Sequence, residues 1–224
     1  GELRVGGKVD RVDGWIKDDK LYLRVVDYKS GKKKFDLANV RMGLDIQMLL
    51  PLHGFVWRQD LGYILGKYDL WSRYEPEQRG VVIAYASVYG GTENAANILA
   101  CRLREQGVQV EMFDTSVTPA SYILAAAFRF SHVVLAAPTY NGGVFVTMEN
   151  LLHDLTAHGL KGRRAAYIEN GSWAPTSARG MQKLLEPLKW EQAADTVTLR
   201  SALRQGQQED LERMAAQLAE SVKA

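Results

Sequence analysis

Three short loops carry the residue types that could do chemistry in the larger part of this chain. Ser87, Val88, Tyr89, Gly90, Gly91 and Thr92 stand between an apolar run and an amphipathic one. Hydroxyls at Ser87 and Thr92, with peptide N–H groups freed by Gly90 and Gly91, form a nest at a helix N-terminus. Unpaired donors and the helix dipole there favour a phosphate dianion. No lysine precedes Thr92, which separates the loop from a Walker A motif, and the missing third glycine separates it from the dinucleotide fingerprint. The second loop is Pro138, Thr139, Tyr140, Asn141, Gly142 and Gly143. An aromatic beside two glycines can lie flat on a fused ring, and a glycine peptide can turn over to meet a ring nitrogen. The third, Asn170, Gly171, Ser172 and Trp173, brings another aromatic with backbone donors nearby. Each loop has a plainer reading: a connecting turn for the first, a tight turn with a surface tyrosine for the second, and a core tryptophan for the third.

A separate constellation lies near the start. Gly7, Asp10 and then Asp27, Tyr28 and Lys29 read as G-x-x-D followed by D-x-K. Asp10 and Asp27 on paired strands could jointly hold Mg²⁺. Strand alternation puts Asp27 and Lys29 on one face, where the ammonium could steady an attacking water or a scissile phosphate. The plainer reading is a charged, solvated hairpin.

The elements that must position these residues are legible as periodicity. Residues 8–13 and 21–28 are β-rich and flank the polar Lys17-Asp18-Asp19-Lys20, which predicts a hairpin. A helix-like stretch follows at Gly43–Leu50. Residues 51–80 hold Pro51, Gly54, Trp57, Trp71 and Pro76 around a helix expected at Asp60–Trp71, and read as a linker. From Gly80 onward strands and helices alternate: strands at 81–85, 108–113, 132–137, 165–169 and 196–199, helices at 92–106, 119–129, 147–158, 176–187 and 209–223. Continuous apolar strands flanked by helices imply a parallel sheet covered on both faces. The fold class is α/β, a doubly wound five-stranded parallel sheet of flavodoxin-like order, which binds ligands at the carboxyl ends of its strands. All three loops fall at that edge.

Composition narrows the rest. The chain has 224 residues, 46% hydrophobic and 24% charged, enough for one domain and a smaller piece. A formal charge of +2 is not that of a dedicated nucleic-acid binder, although Lys29, Lys32, Lys33 and Lys34 cluster early. The single cysteine, Cys101, excludes an internal disulfide and any four-cysteine metal site, and fits a reducing cytoplasm. No apolar run approaches the ~20 residues of a membrane span. Because the chain begins at Gly1, it is expected to be a fragment or a processed product.

These residues carry two resemblances. Tyr85 to Thr92, Pro138 to Asn141 and Glu169 to Pro175 resemble the C-terminal flavodoxin domain of the A-type flavoproteins, or flavodiiron proteins. Pro51 to Arg58 and Tyr68 to Ser72 extend that likeness over about residues 51–224. It implies an FMN cofactor held by the three loops, electron transfer without a catalytic acid or base, a redox partner of rubredoxin or flavin reductase type, and a possible homodimer. His53 matches the last iron ligand of the diiron centre, but the upstream His-x-Glu-x-Asp-His pattern is absent. The diiron reduction of oxygen or nitric oxide is therefore not carried over. Residues 1–50 resemble the PD-(D/E)xK nuclease module of AddB-like and RecB-like helicase-nuclease subunits, with Asp10, Asp27 and Lys29 as its active-site residues. Gly43 to Gln47 matches the start of a Gln-x-x-x-Tyr motif, whose tyrosine is replaced by Pro51. That likeness implies DNA as substrate and Mg²⁺ as cofactor only if so short a segment functions. The expected organisation is a truncated nuclease-like segment at 1–50, a linker and diiron-domain remnant at 51–80, and an FMN-binding domain at 81–224. The two resemblances meet inside Leu49–Leu52, which suggests a junction of unrelated genes and, as a third reading, a non-functional fusion.

Overall fold

The structure is a computed structural model that describes residues 11–17, 20–26 and 60–224. The chain divides into two compact units, Gly1–Phe35 and Asp36–Ala224.

In the first unit β1 (Arg11–Lys17) and β2 (Lys20–Val26) pair antiparallel, from Arg11 opposite Val26 to Lys17 opposite Lys20. The hairpin expected from the polar tetrapeptide is therefore present. Asp10, Asp27, Lys29, His53, the Gly43–Leu50 stretch and the Leu49–Leu52 junction all lie outside the described residues.

In the second unit α1 (Leu61–Ser72) leads into an alternating series. It runs β3 (Gln78–Tyr85), α2 (Gly91–Glu105), β4 (Val110–Asp114), α3 (Ala120–Arg129), β5 (Phe130–Tyr140), β6 (Gly143–Val144) and α4 (Val146–Ala157). β7 (Arg164–Asn170), α5 (Ser177–Leu185), β8 (Glu191–Gln192), β9 (Val197–Leu199) and α6 (Gln205–Lys223) complete it. The sheet has seven strands in the order β4-β3-β5-β7-β8, with β6 paired to β5 and β9 paired to β7. Both β8 and β9 run parallel to β7, so together they fill the fifth position of a flavodoxin-like sheet. The sequence pattern shows only the second of these pieces.

Both faces of the sheet are covered. On one face Val81, Ile83, Val134, Ala136 and Ile168 pack with Ala95, Leu99 and Leu103 of α2 and Leu211, Met214, Leu218 and Val222 of α6. On the other, Val133, Leu135, Ala165 and Tyr167 pack with Ile123 of α3, Met148, Leu152 and Leu155 of α4, and Met181 and Leu185 of α5. The α6 spacing of three and four places one apolar stripe against the sheet, and its glutamates are exposed. Strand alternation in β5 then divides one apolar run between two cores, which is why that strand lacks an exposed face.

Two local features fix the ends of elements. Asn141 and Gly142 both have positive φ, 49° and 74°, and join β5 to β6 with Tyr140 opposite Gly143. This is the two-residue hairpin that an Asn-Gly pair favours, where the expectation was only a loop. At the end of α5, Pro187 has no N–H with which to continue the helical ladder, and the chain passes into a 3-10 turn at Glu186–Leu188. The helix expected to reach 187 thus stops at Leu185.

Candidate functional site

The carboxyl ends of β3, β5, β7 and β9 enclose a cleft of about 490 Å³. Its first wall is the loop leaving β3. Gly90, at φ 81°, is the N-cap of α2 and has no side chain of its own to cap the helix. The first-turn N–H groups of a helix have no partner within it. Here one of them, that of Glu93, donates to Ser87 Oγ at 3.3 Å. Gly91 sits so close to the loop after β9 that a Cβ would come within 2.4 Å of the Ser201 carbonyl oxygen. Only glycine allows that approach.

Aromatic side chains form the mouth. Tyr89 is 98% exposed and Tyr140 is 49% exposed, with the Tyr140 ring edge-on to Phe145 at 5.6 Å. Trp173 is 92% exposed, so the reading that packs it in the core is wrong. A soluble fold seldom leaves aromatics this bare around one concavity unless something covers them.

Asn170, at the end of β7, is buried and ties three loops together. Its Nδ2 donates to the Ser201 carbonyl at 2.9 Å and to Thr92 Oγ1 at 3.3 Å, and its Oδ1 accepts the Ser201 N–H at 2.9 Å. Ser172 and Ser201 share a hydroxyl contact of 2.8 Å. Thr139 is engaged on its other side. Its Oγ1 accepts the N–H groups of Thr176 at 2.8 Å and Ser177 at 3.1 Å and so closes the start of α5. The Glu169 carboxylate takes the N–H of Ala178 and the hydroxyl of Thr198, completing that cap.

Of the sequence-assigned residues, Ser87, Val88, Tyr89, Gly91, Thr92, Pro138, Thr139, Tyr140, Asn170, Gly171 and Ser172 line the cleft. Gly90, Asn141, Gly142 and Trp173 stand outside its wall. Phe145, Ser201 and Ala202 also line it, and sequence reasoning missed all three. The signal for Ser201 was available, since the loop after the fifth strand ends at the same sheet edge as the other three. Among the described residues no charged side chain lines the cleft. At the end of β3, burial raises the pKa of the Tyr85 phenol, reinforced by the Glu93 and Asp114 carboxylates. An anion here would be met by neutral hydroxyls, peptide N–H groups and the positive end of α2. Among the described residues no cluster of His, Cys, Asp and Glu could hold a metal ion.

A doubly wound sheet with its cleft at the β3/β5 switch point defines the flavodoxin-like class. Comparison with known proteins agrees. The chain is 30% identical over 182 residues to a nitric oxide reductase of Moorella thermoacetica, covering 79% of this chain and 44% of that one. The flavodiiron protein of Giardia intestinalis superposes with a TM-score of 0.71 at 20% identity, covering 84% of this chain and 48% of that chain. A flavodoxin from Streptococcus pneumonia TIGR4 superposes at 0.55 with 24% identity, covering 63% of this chain and 98% of that one. Residues 1–59 match the PD-(D/E)XK nuclease superfamily. Over 60 residues the chain is also 45% identical to an ATP-dependent helicase/deoxyribonuclease protein of Clostridium acetobutylicum, covering 27% of this chain and 5% of that one. The chain spans less than half the length of these curated relatives. The βα unit is thus a flavodoxin-like domain related to nitric oxide and oxygen reductases, preceded by a segment that matches the nuclease family.

Proposed function

We propose that the flavodoxin-like unit binds FMN and passes electrons, and that the step belonging to these residues is electron delivery rather than reduction of oxygen or nitric oxide. The observation that carries the reading is the pairing, in one cleft, of a helix N-terminus whose N-cap is glycine with the exposed rings of Tyr89 and Tyr140. The donor set fits the cofactor at both ends. Ser87, Thr92 and the N–H groups of Gly91 and Thr92 would hold the phosphate, while Tyr89 and Tyr140 would flank the ring system. When bound, FMN supplies the redox chemistry. The protein tunes it through stacking, peptide hydrogen bonds and a wall of uncharged side chains. Electrons would come from and go to a redox protein of rubredoxin or flavin reductase type. His53 is assigned no metal.

The test is reconstitution. Purified protein should take up one FMN, with a resolved flavin absorbance band and quenched flavin fluorescence. Ser87→Glu or Thr92→Glu puts a carboxylate in the phosphate seat and should abolish uptake while circular dichroism stays unchanged. Uptake by wild type and both variants alike would remove the proposed seat.

A second reading rests on the nuclease match of residues 1–59. In it Asp10 and Asp27 hold Mg²⁺ and Lys29 steadies the scissile phosphate of DNA. Mg²⁺-dependent cleavage of DNA, lost in Lys29→Ala, is its expected signature. A chain that neither takes up FMN nor cuts DNA would be the non-functional fusion.

A further inference from the structure

The loop after β9 has no assigned role, yet it closes the cleft, and the group that holds it there is one buried carboxamide. Ser201 has a left-handed backbone, φ 67°, in which an ordinary side chain is strained. Its N–H and its carbonyl both face the Asn170 side chain, at 2.9 Å each. An N–H can only donate and a carbonyl can only accept. The orientation of the Asn170 amide therefore follows from chemistry: Oδ1 must face the Ser201 N–H, and Nδ2 must face the Ser201 oxygen. One N–H of Nδ2 is thereby committed to Ser201. The second lies 3.3 Å from Thr92 Oγ1.

That contact has a direction. Because the amide donates, Thr92 Oγ1 must accept, and the hydroxyl proton is left to point elsewhere. Thr92 is buried, 2% exposed, and lines the cleft. Among the described residues its Oγ1 makes no hydrogen bond besides the one from Asn170. An unmet buried donor beside the open end of α2 is a group waiting for an acceptor.

We propose that Asn170 is a positioning residue that sets the polarity of the phosphate seat. Clamped on Ser201, its amide forces the Thr92 hydroxyl to donate into the cleft, and so selects a phosphate monoester over the corresponding free alcohol. This rests on the FMN reading above and names the residue that gives that reading its preference for the phosphorylated flavin. Asn170 acts through Thr92, which its amide polarises, and through the Ser201 carbonyl pressed against Gly91.

The experiment measures FMN and riboflavin affinities of the full chain by fluorescence quenching, in wild type, Asn170→Asp, Thr92→Val and the double variant. Asp at 170 puts an acceptor where Nδ2 stood, which reverses the Thr92 hydrogen bond and also sets a carboxylate oxygen against the Ser201 carbonyl, whereas Thr92→Val leaves the Ser201 clasp intact. Each single variant should weaken FMN binding about 10- to 100-fold, as expected for losing a hydrogen bond to a charged group. Riboflavin binding by Thr92→Val should stay within about 3-fold of wild type, since the ring contacts and the Asn170–Ser201 clasp are untouched. Adding Thr92→Val to Asn170→Asp should cost nothing further, because the two act as one unit. Equal losses for FMN and riboflavin in Thr92→Val, or additive losses in the double variant, would overturn the proposal and leave Asn170 a loop brace. If Asn170→Asp proves unfolded by circular dichroism, Thr92→Val alone decides through the same FMN-to-riboflavin ratio. Wild type that takes up neither flavin would instead fail the FMN reading itself.

Discussion

Tyr89 and Trp173 are the residues whose surroundings differ most from what their chemistry asks. Each large ring is over nine-tenths exposed, and Tyr89 lines the cleft. Neither can contribute much to folding, so substitution separates binding from stability. Tyr89→Ala should leave the unfolding free energy within about 0.5 kcal/mol of wild type, the usual range for an exposed position. Its effect on flavin uptake should be a roughly 2- to 10-fold loss of affinity, the worth of one stacked aromatic contact. Thermal denaturation without cofactor and a flavin titration check the two halves. A large stability loss would mean that the ring packs against the fold. Arg163 shows the opposite condition. It is among the largest fully buried side chains, and it has no carboxylate partner among the described residues. Its guanidinium instead donates to the carbonyls of Ala127 at 2.7 Å, Phe128 at 2.6 Å and Tyr74 at 2.5 Å, with Lys161 and Gly162 near 3.1–3.2 Å. Burial lowers its pKa to about 10, which still leaves it charged at neutral pH.

At the scale of elements, Arg163 explains how α1 is fastened to the sheet. Two of its acceptors are carbonyls near the end of α3, where unpaired oxygens and the negative dipole end suit a cation. Another is Tyr74, just after α1, held at φ 58°. Arg163→Met would leave these buried carbonyls without a donor, and should cost roughly 3 kcal/mol or more. For a domain of this size that is a fall in Tm of about 6–12 °C, measurable by calorimetry. Arg163→Lys should recover part of it, since one ammonium cannot reproduce the planar fork. This clamp was not legible in the sequence, because Arg163 sits in a polar run, Lys161 to Arg164, that reads as solvated turn. The helices and strands around it were legible, since apolar spacing alone divides residues between the two covered faces. So were the three ligand loops, whose Gly, Ser and Thr residues interrupt that spacing. Hidden from the pattern were contacts made across the fold: Thr139 capping α5, Asn170 clasping Ser201, and the short β8 strand, whose Glu191 and Gln192 are exposed and carry no apolar signal. The Asn141-Gly142 hairpin is visible as a dipeptide, but its flanking glycine and aromatic read equally as an open loop.

For the molecule as a whole, the sheet edge opposite the cleft sets a pH limit. His132, at the start of β5, is buried between Ser131 Oγ at 2.8 Å and Ser221 Oγ at 2.9 Å, the latter on α6. Burial, with Arg164 and Arg79 nearby, lowers its pKa from 6.5 to about 4. The unfolded chain therefore binds a proton that the folded chain refuses between those values. Stability from this residue is complete above about pH 6.5 and is lost as pH falls toward 4, by up to about 3 kcal/mol. Urea unfolding at pH 7, 5.5 and 4.5 should show that decline, and His132→Gln should flatten it. An unchanged slope in the variant would assign the acid sensitivity to other groups. This edge lies away from the ligand loops, so flavin affinity should not follow the same curve.

The electron-transfer role depends on whether the cleft at the β3/β5 switch point takes a flavin phosphate. The most direct measurement is titration of the cofactor-free, folded protein with FMN, followed by visible absorbance and flavin fluorescence. Saturation at one FMN per chain, with quenched fluorescence and far weaker uptake by Thr92→Glu, is the expected result. A folded protein that leaves micromolar FMN fully fluorescent would contradict it.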